Sequence, residues 1–286
     1  PTATSASLGV GEDVAKSARQ WLNGDLNGRS VLEALANMGR ADAQQMLGEI
    51  LSVGPKTLRD DVASCGWFAK AADSRADSMH SLAFCTEKGV DGTPDPARAA
   101  GLYLQAAEQG YAKSMCALGN LYVEGRGVPK DEAKGVARCR KGAEIGDRDA
   151  QTDLGNYYLQ GIGVPRDMAQ ARHWYELAAA QGQPNALFVL GQIYWNGDGI
   201  LRDQARAEKL LKAAYRSGRR DAASFLGSWL FAKWMSAHSK GDFTVLDEAI
   251  GYQTVAASIA SEAERADAQN ALKLMEAVRT AAKDKK

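Results

Sequence analysis

The sequence has little of what most functions need. Lys plus Arg and Asp plus Glu each number 35 among 286 residues, so the formal net charge is zero. A nucleic-acid binder draws much of its affinity from neutralising phosphates and carries a basic excess, so that class is excluded. The basic tail Lys283, Lys285, Lys286 reads as a solvated terminus. No apolar run reaches the roughly 18 residues of a transmembrane helix. Only three histidines occur, His80, His173 and His238, on separate segments with no paired ligand spacing. Neither a metal site nor a cofactor is therefore expected. The four cysteines, Cys65, Cys85, Cys116 and Cys139, are too few to carry the fold of a chain this long. Residues 1–10 lack both a charged n-region and a long apolar run, so they are no signal peptide and are expected to be a disordered leader.

What the sequence does have is periodicity. SMCALGNLYVEGRGVPKDEA (114–133), AQTDLGNYYLQGIGVPRDMA (150–169) and ALFVLGQIYWNGDGILRDQA (186–205) align without gaps, offset by 36 residues. Leu-Gly pairs stand at 118–119, 154–155 and 190–191, and Gly-x-Gly turns at 125–127, 161–163 and 197–199. Looser copies begin near 78 and 43, and a partial copy begins at 222.

Each unit reads as two helices. Leu154, Tyr157 and Tyr158 share one face at the helical period. Gly161 and Gly163 stop that helix, since glycine suits the left-handed C′ position. Asp167 then caps or opens a second helix, over about 167–181, whose inner face is Ala171, Trp174, Tyr175, Ala178 and Ala179. A helix-interior glycine costs roughly 1 kcal/mol. Gly119, Gly155, Gly191 and Gly227 are therefore expected where a neighbouring helix approaches closely. No alternating run suggests a strand.

The repeat offers no catalytic constellation. The Gly-x-Gly turns follow helices, not strands, and lack the Lys-Ser/Thr of a phosphate loop. Asp60 and Asp61 read as a helix start rather than an acid/base pair. No nucleophile motif accompanies the histidines.

The pattern A-x3-LG-x2-Y-x2-G-x-GV-x2-D-x3-A-x2-W-x3-AA-x2-G, nearly complete from Ala150 to Gly182, resembles the Sel1-like repeat, a relative of the tetratricopeptide repeat. The resemblance covers about residues 43–230. It implies an all-α, right-handed α-solenoid of stacked two-helix units over 41–240, starting near 43, 78, 114, 150, 186 and 222. Capping helices are expected at 11–40 and 241–286.

In related repeats the first helix lines the concave face. Carried over, this places Asn120, Asn156, Gln192 and Ser228 in the groove, the first three forming a row of amides suited to a peptide backbone. Phe188, Trp195, Leu159, Gln160, Thr152 and Glu124 are further groove positions. Trp195 reads either as a binding anchor or as a contact with the next unit's first helix. Lys88 and Lys113 are only loosely placed for gripping a peptide carboxylate.

The same packing gives Cys139 the core position of Tyr103 and Tyr175. It sets Cys65 and Cys85 on helices that should touch, so a Cys65–Cys85 bridge is feasible and Cys116–Cys139 is the second candidate. A groove-facing Cys116 argues against the latter, and four buried thiols are the alternative.

The resemblance implies a non-catalytic scaffold or regulator that binds a protein or peptide. The family's bacterial members commonly work in the cell envelope, in signalling, secretion, polysaccharide export or host interaction. The start at Pro1 rather than Met and the pairable cysteines point to a periplasmic or secreted protein, the cytoplasm being the alternative. Competing readings are an immunity protein that plugs an effector enzyme and a helical-repeat envelope hydrolase. The ends outside the repeat, about 40 and 46 residues, are too short for an added catalytic domain. The oligomeric state is left open, with a monomer the simpler expectation.

Overall fold

Boundary residues divide the chain into short helices. The computed structural model describes residues 9–90, 92–237 and 243–283, and every regular element among them is helical. The α-helices are α1 (Glu12–Leu22), α2 (Leu26–Asn37), α3 (Ala41–Val53), α4 (Asp61–Ala71), α5 (Ala76–Lys88), α6 (Pro96–Glu108), α7 (Ala112–Glu124), α8 (Glu132–Ile145) and α9 (Arg148–Gln160). They continue as α10 (Met168–Ala180), α11 (Pro184–Asn196), α12 (Gln204–Arg216), α13 (Ala222–Ser236), α14 (Thr244–Ile259) and α15 (Glu262–Lys283). Residues 1–8 of the expected leader, His238 and the tail Lys285 and Lys286 lie outside the described residues.

Aspartate starts the second helix of each repeat. The side chains of Asp60, Asp95, Asp131, Asp167 and Asp203 each accept a backbone N–H of the helix that follows. Such a cap contributes roughly 1 kcal/mol. Glycine ends the first helix: Gly89, Gly125, Gly161 and Gly197 adopt φ of 65°, 69°, 75° and 78°. An L side chain rarely tolerates that conformation.

The helices form two compact units, divided between Arg166 and Asp167. In the N-terminal unit, α1 to α9 stack as successive antiparallel pairs. Helices α7 and α8 approach closely through a pair of glycines. A Cβ on Gly119 would stand 2.5 Å from the Gly135 carbonyl, and one on Gly135 would stand 2.5 Å from the Gly119 carbonyl. The expected packing glycine thus works together with a second glycine on the facing helix. In the C-terminal unit, Gly191 meets Leu211 and Gly227 meets Gln253.

The second helices contribute one core side chain per repeat at a fixed register. Tyr103 and Cys139 in the N-terminal unit, and Tyr175 and Leu211 in the C-terminal unit, are at most 1% exposed. The change from Tyr to Cys or Leu alters volume while keeping the position apolar, which a core tolerates when its neighbours repack. The phenol of Tyr103 satisfies its buried oxygen by donating to Glu87 at 3.0 Å.

Candidate functional site

The 36-residue register sets one position of each first helix just after the Leu-Gly pair. In the N-terminal unit it holds Phe84, Asn120 and Asn156, and in the C-terminal unit Gln192 and Ser228. These residues differ in whether anything in the unit already occupies them.

Phe84 is left open. It is 51% exposed and helps line a groove of about 470 Å³ with Glu49, Ser81, Tyr111 and Lys113. One wall is the Cys65–Cys85 disulfide, which ties α4 to α5 with Cα atoms 5.9 Å apart. Lys88 sits 5.6 Å from the Phe84 ring centre. Phe84 was missed in the sequence because its copy of the repeat is loose, with Ala83 in place of the glycine.

His80 forms the floor of this groove. Its ring lies 5.3 Å from that of Tyr103 and 5.2 Å from that of Tyr111, and Nδ1 is 2.9 Å from the Ser114 hydroxyl oxygen. Burial, aided by the charge of Lys113, lowers its pKa to about 4. A Ser–His contact suggests an activated nucleophile, but Ser114 is fully buried, so no substrate atom reaches it. His173 is exposed on α10 beside Trp174.

Asn120 is occupied from within. Its Nδ2 donates to Asp153 at 3.0 Å, and its Oδ1 accepts from the Tyr157 hydroxyl. Both partners belong to α9, so the amide joins one repeat to the next. Burial raises the Asp153 carboxyl above its ordinary range and pushes the Tyr157 phenol up as well. Cys116 and Cys139 are joined directly beneath, their Cα atoms 3.8 Å apart beside the Gly119–Gly135 crossing. Donor atoms of Cys116, Cys139 and Asp153 lie within 4.8 Å of one another. A metal is held by thiolates, which a disulfide does not supply.

Among the other expected groove residues of this unit, Asn156 and Leu159 are half-buried and Gln160 is exposed. Glu124 is exposed and paired with Arg126. Thr152 departs from the expectation: it is 4% exposed, and its hydroxyl donates to the Arg148 carbonyl at 2.9 Å. A threonine that bonds back to its own helix has no free donor for a partner.

The C-terminal unit has a groove of about 510 Å³ with an aromatic lining. Trp195 stands edge-on to Phe225 and Trp229, with centroids 4.9 and 4.3 Å apart, and Phe188 lines the same space. Arg219 covers the Phe188 ring at 4.9 Å. Gln192 is half-buried on the same helix as Trp195, and Ser228 lines the groove. The two readings of Trp195 therefore meet: it touches the next unit's first helix and also faces open space. Phe225 and Trp229 occupy the positions of Asp153 and Tyr157, two repeats on. Extending the register into the partial copy at 222–230 would have found them.

The Sel1 repeat model matches residues 41–74, 76–111, 112–147, 148–183 and 184–218. No curated protein matches the sequence significantly. Among solved structures, a Sel1 repeat protein from Oxalobacter formigenes is 25% identical with a TM-score of 0.69, over 86% of this chain and all of that one. The protective antigen c5321 of uropathogenic Escherichia coli is 25% identical with a TM-score of 0.56 over 93% of this chain, which spans 60% of that protein. The Pseudomonas aeruginosa immunity protein Pa5087 is 20% identical with a TM-score of 0.52, over 83% of each chain. That last likeness concerns the fold alone.

Proposed function

The chain belongs to the Sel1 repeat family, and from that premise we propose that it is a non-catalytic scaffold holding a partner protein or peptide against its first helices. Sel1 repeats generally mediate protein interactions. The observation that carries the reading is the contrast among side chains of the first helices. Asn120 is consumed by the next repeat, while Phe84 at 51% exposure and the Trp195 cluster border open grooves. Exposed aromatic side chains flanked by polar groups are what an interface anchor requires. The amide row narrows accordingly: Asn120 is a joint between repeats, and Phe84, Phe188 and Trp195 are the anchors.

An oxidising compartment, the periplasm or the exterior, is part of the proposal. Its support is the pairing of all four cysteines, since disulfides persist where no thiol pool reduces them. No described helix is long and apolar enough to cross a membrane.

The test is affinity capture with the purified chain and with its Phe84→Ala and Trp195→Ala variants, all three first matched for helicity by circular dichroism. A partner held by the parent and lost with at least one variant is the expected result. A partner captured equally by all three chains contradicts the groove assignment.

A further inference from the structure

Cys116, Cys139 and Asp153 form a cluster that lines neither open groove. They stand on α7, α8 and α9, so three consecutive helices meet there. Their donor atoms lie within 4.8 Å of one another. Cys116 Sγ is 3.5 Å from Asp153 Oδ2 and 3.8 Å from Asn120 Oδ1. Zinc at about 2.3 Å from sulfur and about 2.1 Å from oxygen sets tetrahedral ligands about 3.6 Å apart. Both oxygens already stand close to that spacing from the sulfur.

Asp153 gives an independent sign. Its carboxyl is half-buried and pairs with no Lys, Arg or His among the described residues. Burial first, then the charges of Asp149, Asp147 and Glu124, oppose its ionisation, and the Asn120 amide favours it. A carboxylate so placed gains from a cation brought to it. The sulfurs are buried as well, Cys116 at 4% and Cys139 at 0% exposure.

The disulfide is the oxidised form of this sulfur pair. A small dithiol reduces it by exchange: two electrons and two protons pass to the sulfurs, the S–S bond breaks, and the reductant leaves as its own disulfide. Zinc then displaces the two thiol protons, because the thiolate is the ligand. The sulfurs part to about 3.8 Å, the separation of two thiolates on one tetrahedral zinc.

We propose that the reduced chain binds one zinc ion through Cys116, Cys139 and Asp153, with Asn120 Oδ1 or a water in the fourth place. Thiolate ligands select zinc over magnesium and calcium. The disulfide ties α7 to α8 within one repeat. The ion ties both helices to α9, the first helix of the next. Cys65 and Cys85 have no such third ligand among the described residues.

The test reduces the full chain with an excess of dithiol, removes the reductant without air, and titrates in Co²⁺ as a spectroscopic stand-in for zinc. A thiolate-to-cobalt charge-transfer band saturating at one ion per chain is expected, and zinc should abolish it. The band should persist in Cys65→Ser/Cys85→Ser and vanish in Cys116→Ser/Cys139→Ser and in the oxidised parent. Asp153→Asn should weaken binding by about tenfold or more, with helicity matched by circular dichroism. No band in the reduced parent, a band that survives in Cys116→Ser/Cys139→Ser, or unchanged affinity in Asp153→Asn would each overturn the site. Loss of helicity on reduction would overturn it too, since no preformed cluster would then exist.

Discussion

Asn120 and Asp153 stand 33 residues apart in sequence, and the amide of one donates to the carboxylate of the other at 3.0 Å. The contact explains why an amide at this position is no sign of a ligand. Asn120 spends its donor on Asp153 and its acceptor on Tyr157, both on the next repeat's first helix. Removing it leaves two partly buried partners unsatisfied, at a cost of about 1–3 kcal/mol. Asn120→Ala should therefore lower the urea midpoint.

Asp153 gives that contact a pH signature. Its folded-state pKa is raised above the unfolded value of 3.8, chiefly by burial. The stability it contributes is fully present below 3.8 and is lost as pH rises through the folded value. Asp153→Asn keeps an acceptor for Asn120 and removes the charge. It should raise the urea midpoint at neutral pH and change it little once the solution is acidified below the ordinary carboxylate range. A lower midpoint at neutral pH would refute this.

His80 responds in the opposite sense. Burial first, then Lys113, holds its pKa near 4 against an ordinary 6.5, with Glu87 and Asp77 pulling the other way. Its contribution to stability is present above 6.5 and is lost as pH falls towards 4. The urea midpoint of the parent should fall across that window, and His80→Asn should flatten the fall. Parallel pH profiles in the two chains would show that another group is responsible.

The 36-residue unit, its two helices and its stopping glycines were legible in the sequence because backbone conformation imposes them. Gly161 needs φ 75°, and Asp167 must reach the N–H groups of Ala169 and Gln170. Such requirements repeat in every copy. The site was less legible, because a side chain's identity does not say whether a neighbouring helix will use it. Asn120 and Phe84 share a register position, yet one is engaged by α9 and the other is half exposed. The sequence likewise gave Gly119 a packing role without naming Gly135 as the glycine opposite it.

That pair of glycines yields a contrast. A Cβ at position 135 would lie 2.5 Å from the Gly119 carbonyl, whereas one at Gly101 on α6 would meet nothing within 4 Å. Gly135→Ala should destabilise the chain by about 1–3 kcal/mol through overpacking. Gly101→Ala should stabilise it by roughly 0.5–1 kcal/mol, because alanine is the better helix former. Calorimetric melting of both variants checks the two signs together.

The bridges predict a further loss. Cys65 and Cys85 enclose a separation of 20 residues, and cross-linking a loop of that length contributes about 3 kcal/mol in the chain-entropy model. Cys65→Ser/Cys85→Ser should melt lower by a corresponding amount. Intact mass without reductant should fall short of the reduced mass by two hydrogens per bridge. Four free thiols would remove both bridges and with them the support for an oxidising compartment.

The central claim is that the first helices bear the partner. Site-specific photo-crosslinking tests it most directly, with the reactive group placed in turn at Phe84 and Trp195 on first helices and at Ala137 and Ala169, exposed on second helices. The account predicts one recurrent partner cross-linked from Phe84 or Trp195 and none from Ala137 or Ala169. A partner cross-linked only from Ala137 and Ala169 would contradict it.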